Sequence, residues 1–152
     1  MDFDDLDRKV LAKLMTEARI SWAELAQHLG LSAPAAADRV RRLEERGIVK
    51  GYSARLDPEA LGLPLTALVA VTLDRPSHRL PFLKKIEKLA EISECHHVAG
   101  DDDYILKVHC RSTRDLDRLL SDELKALPGV VRTRTTIVLS TPKDSTILPL
   151  GE

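Results

Sequence analysis

The sequence predicts an α+β chain, with an N-terminal winged helix-turn-helix followed by a C-terminal ferredoxin-like βαββαβ domain. Three observations carry this expectation. Apolar residues recur at helical spacing through the first fifty-odd positions. Two short helices within that stretch meet at a glycine turn. Beyond a Pro- and Gly-containing break, the pattern changes to β-rich runs separated by two helical ones. The boundaries are 1–56 for the helical domain, 57–64 for a linker, 65–140 for the sheet domain and 141–152 for a tail.

The first helix is carried by Leu6, Val10, Leu11 and Leu14, with Asp4 or Asp5 as its N-cap. Ser21 and Glu24 have the spacing of a capping box, and Ile20 with Leu25 can form a hydrophobic staple across it. Gly30 stops this second helix. A third starts at once, with Ser32 as N-cap and Pro34 in the first turn, where its missing N–H costs little. Ala36, Val40 and Leu43 form its inward face, and Gly47 ends it. Ala26 is small where helices two and three cross, and Trp22 is expected to pack between helices. Ile48 to Leu56 reads as extended and supplies the wing.

Asp57 to Pro64 is the composition break taken as the linker. Thr66 to Leu73 then reads as a nearly continuous apolar strand, and Phe82, Ile86 and Leu89 mark a helix. Cys95–Ala99 and Tyr104–Cys110 are strands around the turn Gly100-Asp101-Asp102-Asp103. Leu116, Leu119, Leu120, Leu124 and Leu127 mark the next helix, closed by Pro128-Gly129, and Val130 to Leu139 is the last strand. Two helices cover one face of a four-stranded sheet. Because the strands read as apolar on both alternating sets, the second face is expected to be buried against another copy, giving a homodimer.

Net charge is −1, but its distribution is uneven. Between Ser32 and Arg55, Arg39, Arg41, Arg42, Arg46, Lys50 and Arg55 stand against Asp38, Glu44 and Glu45, a local balance of +3. Such a local basic footprint on a helix-turn-helix points to double-stranded DNA. The alanines that open the third helix, Ala35 and Ala36, let the backbone come close to base edges, and a methyl can touch a thymine methyl. Arg39 is placed to read guanine and Arg42 to reach a base or the backbone. Ser32 and the helix start suit a phosphate oxygen, with Lys50 and Tyr52 adding contacts from the wing. Arg41 and Arg46 are read instead as pairing with Glu44 and Glu45.

Catalytic chemistry finds no foothold: there is no nucleophile elbow, Walker loop, dinucleotide fingerprint or zinc spacing, so neither a catalytic residue nor a cofactor nor a metal is expected. Taken alone, Gly100 to Tyr104 reads as an acidic hairpin turn, since adjacent side chains on a strand diverge, as do His96 and His97. No apolar run reaches membrane-spanning length, and the acidic start Met1-Asp2-Phe3-Asp4-Asp5 is unlike a signal peptide; a cytoplasmic location is expected. The alternative to a DNA reader is a metabolite-binding scaffold whose helix-turn-helix makes only protein contacts.

The stretches LDRKVLAKLMTEARISWAELAQHLGLS, RVRRLEERGIVKGYSARLDPEALGL, VAGDDDYILKV and LPGVVRTRTTIVL, in this order, resemble the Lrp/AsnC (feast/famine) family of transcription regulators over nearly the whole chain. The resemblance implies a DNA-binding N-terminal domain and a C-terminal domain for oligomerisation and effector binding. It implies dimers built through face-to-face sheets that assemble into octamers or larger discs, and an amino acid bound between dimers. Carried onto this sequence, the effector residues are Gly100, Asp101, Asp103 and Tyr104 of the loop, with Thr133 and Thr135 of the last strand. Asp103 or Asp101 would meet an ammonium group, and the loop backbone with a threonine would meet a carboxylate. The third helix is richer in alanine than is usual in this family, so no operator preference is carried over.

Overall fold

The computed structural model describes residues 4–151. The chain divides into two compact units, one taking the chain up to Ala54 together with the segment from Lys143 onward, the other comprising Arg55–Pro142. The segment read as a tail therefore belongs to the helical unit.

In that unit α1 spans Asp5–Thr16, α2 Trp22–Leu29 and α3 Ala33–Glu45. Each start has a side-chain cap of the expected kind. The Asp4 carboxylate accepts from the Asp7 N–H at 2.7 Å, and Ser21 with Glu24 closes a complete capping box. Ser32 Oγ accepts from the Ala35 N–H at 3.4 Å. Gly30 takes φ 68°, the left-handed conformation that lets α2 stop and α3 turn away within two residues. The core is Val10, Leu11, Leu25, Ala26, Leu29, Ala36, Val40 and Leu43. Leu150 packs onto it from the other end of the sequence, and Arg8 donates to the Leu150 and Gly151 carbonyls at 2.9 and 3.2 Å. One ion-pair fork locks α3 to the start of α1: the Arg39 guanidinium reaches Asp4 and Asp7, both at 2.7 Å. Residues 50–57 carry neither helix nor strand, so the expected wing is not formed as a strand. A strand needs a ladder partner, and the sheet's four strands pair only with one another.

The second unit contains β1 Leu65–Leu73, α4 Arg79–Ile86, β2 Ile92–His97, β3 Tyr104–Cys110, α5 Thr113–Arg118 and β4 Val130–Ile137. The end of α5 widens into a π-turn over Leu119–Leu124, and a 3-10 turn, Pro76–His78, precedes α4. The sheet order is β2-β3-β1-β4, antiparallel throughout, which is the ferredoxin-like arrangement. Alternation decides the core: Ala67, Val69 and Val71 of β1 and Tyr104, Leu106, Val108 and Cys110 of β3 face Phe82, Ile86, Leu116, Leu119 and Leu124.

The opposite face differs from the expectation of a second apolar layer. Cross-strand register places Thr66, Leu68, Ala70 and Thr72 of β1 beside Ile105, Lys107 and His109 of β3, and beside Arg132, Arg134 and Thr136 of β4. Glu94 and His96 of β2 share this face, where Glu94 meets Lys107 at 3.1 Å and His96 at 2.9 Å. Apolar residues cluster on β1 and at Ile105; the charge lies on the edge strands β2 and β4 and at Lys107 of β3. His97, one residue on, points the other way and stacks on the Tyr104 ring, with centroids 5.1 Å apart.

Two stability predictions follow from these contacts. Arg39→Ala is expected to destabilise the helical unit by roughly 1 kcal/mol, a charged hydrogen bond to the half-buried Asp7 discounted for solvent screening. Asp4 is held below the ordinary carboxylate range by the Asp7 N–H and then by Arg39. Its contribution is thus full at neutral pH and fades as pH falls below about 4. Urea unfolding followed by circular dichroism should show the gap between variant and parent closing over that range. Gly129 has φ +88°, and an added Cβ would lie 2.2 Å from the His78 ring, which also holds Asp74 at 2.6 Å. Gly129→Ala should therefore cost about 2 kcal/mol or more, read as a lowered Tm.

Candidate nucleic-acid interface and effector loop

The outward side of α3 follows from the 100° step of an α-helix. Taking the centre of the buried stripe Ala36, Val40 and Leu43 as origin, Asp38 lies nearly opposite, with Arg41 and Arg42 about 130° away on either side. Arg39 stands only about 70° from the buried stripe. This explains two corrections to the sequence reading. Ala36 is fully buried and offers no surface to a partner. Arg39 is turned toward α1, its side chain only 19% exposed and its guanidinium taken by Asp4 and Asp7.

The remaining residues of the expected interface are distributed as follows. Ser32 is exposed at the start of α3 and Ala35 is half-buried. Arg42 is 58% exposed, with Nε 3.4 Å from Asp38. Lys50 is exposed. Tyr52 is half-exposed, but its hydroxyl donates to Glu44 at 2.8 Å. Partial burial and the Glu44 carboxylate push the Tyr52 pKa up to about 12, so the phenol stays protonated and engaged. Arg41, read as a partner of Glu44 or Glu45, instead pairs with Asp38 and is 66% exposed. Trp22, expected to be packed, is half-exposed and lines an open groove with Pro34, Ala37, Asp38, Arg41 and Glu44.

In the sheet unit the loop 100–103 joins β2 to β3 and stands beside the start of β4. Its three aspartates diverge, as the sequence suggested. Asp101 is exposed, and its carbonyl accepts from Arg132 at 3.1 Å. Asp103 closes the turn: its carboxylate accepts from the Leu73 N–H at 2.7 Å and its own N–H donates to the Val71 carbonyl at 3.0 Å. Asp102 is the buried member, accepting from Thr72 Oγ1 at 3.0 Å, Arg132 at 3.1 Å and Arg134 at 2.6 Å. Tyr104 is buried, and its hydroxyl accepts from Arg79 Nε at 3.0 Å. Gly100 is exposed at the turn.

Thr133 and Thr135 do not join this cluster. They pair opposite Val71 and Val69, on the helix-covered side of the sheet, whereas Arg132 and Arg134 alternate onto the open side with Asp102. The structure thus brings together Asp102, Thr72, Arg132 and Arg134, none of which the sequence reading chose as a site residue. The signal was present in the i, i+2 spacing of the two arginines, but which side they take depends on the β1–β4 register. Two guanidiniums around one carboxylate leave a net positive charge, and both arginines are more than half exposed. Among the described residues no group of three His, Cys, Asp or Glu side chains gathers to hold a metal ion.

Comparison with known proteins agrees with both halves of this description. The family model for the AsnC-type helix-turn-helix domain matches residues 3–44, and that for the Lrp/AsnC ligand binding domain matches residues 66–148. The leucine-responsive regulatory protein of Escherichia coli K12 is 42% identical over 146 residues, covering 95% of this chain and 89% of that protein. Among solved structures, a transcriptional regulator of Neisseria meningitidis in complex with L-methionine superposes with a TM-score of 0.93 at 30% identity, covering 98% of this chain and 97% of that one. The feast or famine regulatory protein of M. tuberculosis complexed with L-methionine gives 0.89 at 41%, covering 97% and 99%. E. coli AsnC gives 0.90 at 32%, covering 98% and 100%. Two domain matches in this order, a relative of this identity over nearly full length and the same fold throughout place the chain in the Lrp/AsnC family of transcription regulators.

Proposed function

We propose that this regulator binds double-stranded DNA through the start and outward side of α3, as a cytoplasmic homodimer that assembles to an octamer or larger, and that an amino acid tunes it. The observation that supports the DNA reading is the concentration of exposed donors on one helix and the segment after it: the Ser32 hydroxyl at the helix start, then Arg42 and Lys50. Helix-start N–H groups and hydroxyls suit phosphate oxygens, and Ala35 leaves room for the backbone to approach. Ala36, Arg39 and Tyr52 are left out of the interface because their surfaces or donors are already used within the subunit. A two-fold dimer would match an inverted-repeat operator with half-sites about 34 Å apart or a multiple of it.

The effector reading rests on opposite charges held side by side. A free amino acid needs a carboxylate for its ammonium group and cationic or N–H donors for its own carboxylate. Asp101 offers the first from an exposed position, and Arg132, which holds the Asp101 carbonyl, offers the second with Arg134 beside it. Of the residues expected from the family, Gly100 and Asp101 remain at the exposed loop, Asp103 and Tyr104 serve as its frame, and Thr133 and Thr135 lie on the other side of the sheet.

Two measurements test these readings. In a salt titration of binding to a mixed DNA pool, log affinity should fall linearly with log salt, and Arg42→Ala and Lys50→Ala should each reduce the slope by about 1. No binding to the pool at any salt concentration would leave only the scaffold reading. L-Methionine, the ligand of two related structures, should raise the Tm in a concentration-dependent way if it binds the folded state. Asp101→Asn should abolish that rise at unchanged starting Tm; a panel of amino acids that all leave the Tm unmoved would remove the effector role.

A further inference from the structure

We infer that Arg41, rather than Arg39, is the residue of α3 that reads a guanine, and that the wall formed by Trp22, Pro34 and Ala37 beside it takes the methyl group of a nearby thymine. The inference rests on the DNA-binding reading above and deepens it by assigning the base contacts.

Of the three arginines at 39, 41 and 42, Arg39 is consumed by two carboxylates of α1, while Arg41 and Arg42 stand free of the core on either side of Asp38. Only Arg41 lines the groove of about 420 Å3 that runs between the start of α2 and the outward side of α3. The groove has two chemically distinct ends. Trp22, Pro34 and Ala37 give an apolar wall, and Arg41, Asp38 and Glu44 give a charged one, in which a carboxylate one turn back on the helix orients the Arg41 cation while Glu44 accepts from the Tyr52 hydroxyl.

Those ends match what a major groove displays. A guanidinium can donate twice to guanine O6 and N7, and thymine is the base that offers a methyl group there. Ala37 and Arg41 are four residues apart, roughly 6 Å along the helix, which corresponds to one or two base steps. Asp38 plays a positioning part. It holds one edge of the Arg41 guanidinium by a hydrogen bond and leaves the other nitrogens for the base. It also places a negative charge where phosphates and base acceptors would come, so it disfavours any DNA that Arg41 cannot engage fully. Pairing with Asp38 from the other side, Arg42 is turned toward the flank of the helix and is left for the backbone.

The test uses the full chain and a duplex chosen by selection from random DNA. Trp22 is the chain's single tryptophan, so its fluorescence reports occupation of this groove directly. Replacing individual guanines by 7-deazaguanine removes the N7 acceptor, and replacing thymines by deoxyuridine removes the methyl. The parent protein should lose about tenfold at one deazaguanine position and a few-fold at a deoxyuridine one or two steps away. Arg41→Ala should bind the unmodified site about tenfold more weakly and lose sensitivity to that deazaguanine alone, with the deoxyuridine effect retained. Ala37→Gly should lose the deoxyuridine effect and keep the deazaguanine one. Asp38→Asn should bind random DNA more tightly while the ratio of specific to random affinity falls. Circular dichroism of each variant confirms the fold.

A parent that binds no DNA defeats the functional reading and this inference with it. A parent that binds a defined site, while Arg41→Ala keeps the full deazaguanine penalty, defeats this inference alone. So does a selected site without guanine in each half, or a penalty abolished by Arg42→Ala instead.

Discussion

The angular setting of α3 depends on the fork between Arg39 and the two aspartates of α1. A helix of this length buries a stripe only three residues wide, Ala36, Val40 and Leu43, and two of these are small or β-branched. Such a stripe tolerates some rolling. The fork restricts it, because rolling α3 in either direction would draw a guanidinium away from two carboxylates fixed by the capped first turn of α1. With α3 held this way, Asp38 is carried to the centre of the free side with a cation on each flank. The acidic start of the chain, which on composition alone argues against a nucleic-acid partner, is therefore part of what presents the basic side of α3.

The sheet unit shows the same economy of charge. β1 lies inside the sheet and is apolar toward the helices, while β4 at the edge alternates threonine inward and arginine outward. The two arginines converge on Asp102 because the loop after β2 descends over the end of β1, where Thr72 supplies a third hydrogen bond. A carboxylate this buried is satisfied only by such a set of partners. The loop is thereby tied to both β1 and β4, and a ligand that drew Arg132 or Arg134 away would loosen its anchor at the same stroke.

Much of this was legible in the sequence. Caps, glycine stops, the change of period after Pro64 and the order of strands are local signals, and the helices start where the capping residues say they should. Two kinds of information were not local. Which arginine of α3 is free depends on Asp4 and Asp7, more than thirty residues away, while Asp38 pairs with Arg41 and Arg42 and Glu44 accepts from the Tyr52 hydroxyl. Likewise the choice between Asp102 and its neighbours depends on cross-strand register, since three consecutive aspartates look alike until one of them is set beneath two arginines. Segment 50–57 failed as a strand for a related reason: extended composition is a property of the segment, whereas a ladder is a property of its neighbours.

The return of the chain's last residues to the helical unit bears on the order in which this protein can be completed. Leu150 finishes a core whose other members lie between Leu6 and Val49, and its carbonyl, with that of Gly151, satisfies the head of Arg8, whose Nε is buried without a partner of its own. On the ribosome the three helices emerge first, yet they must wait from Glu45 to Leu150, more than a hundred residues, before that surface is covered. A chain clipped after Pro142 would retain every helix of its reader domain and still expose the apolar patch that Leu150 shields, so damage at one terminus would be felt at the other.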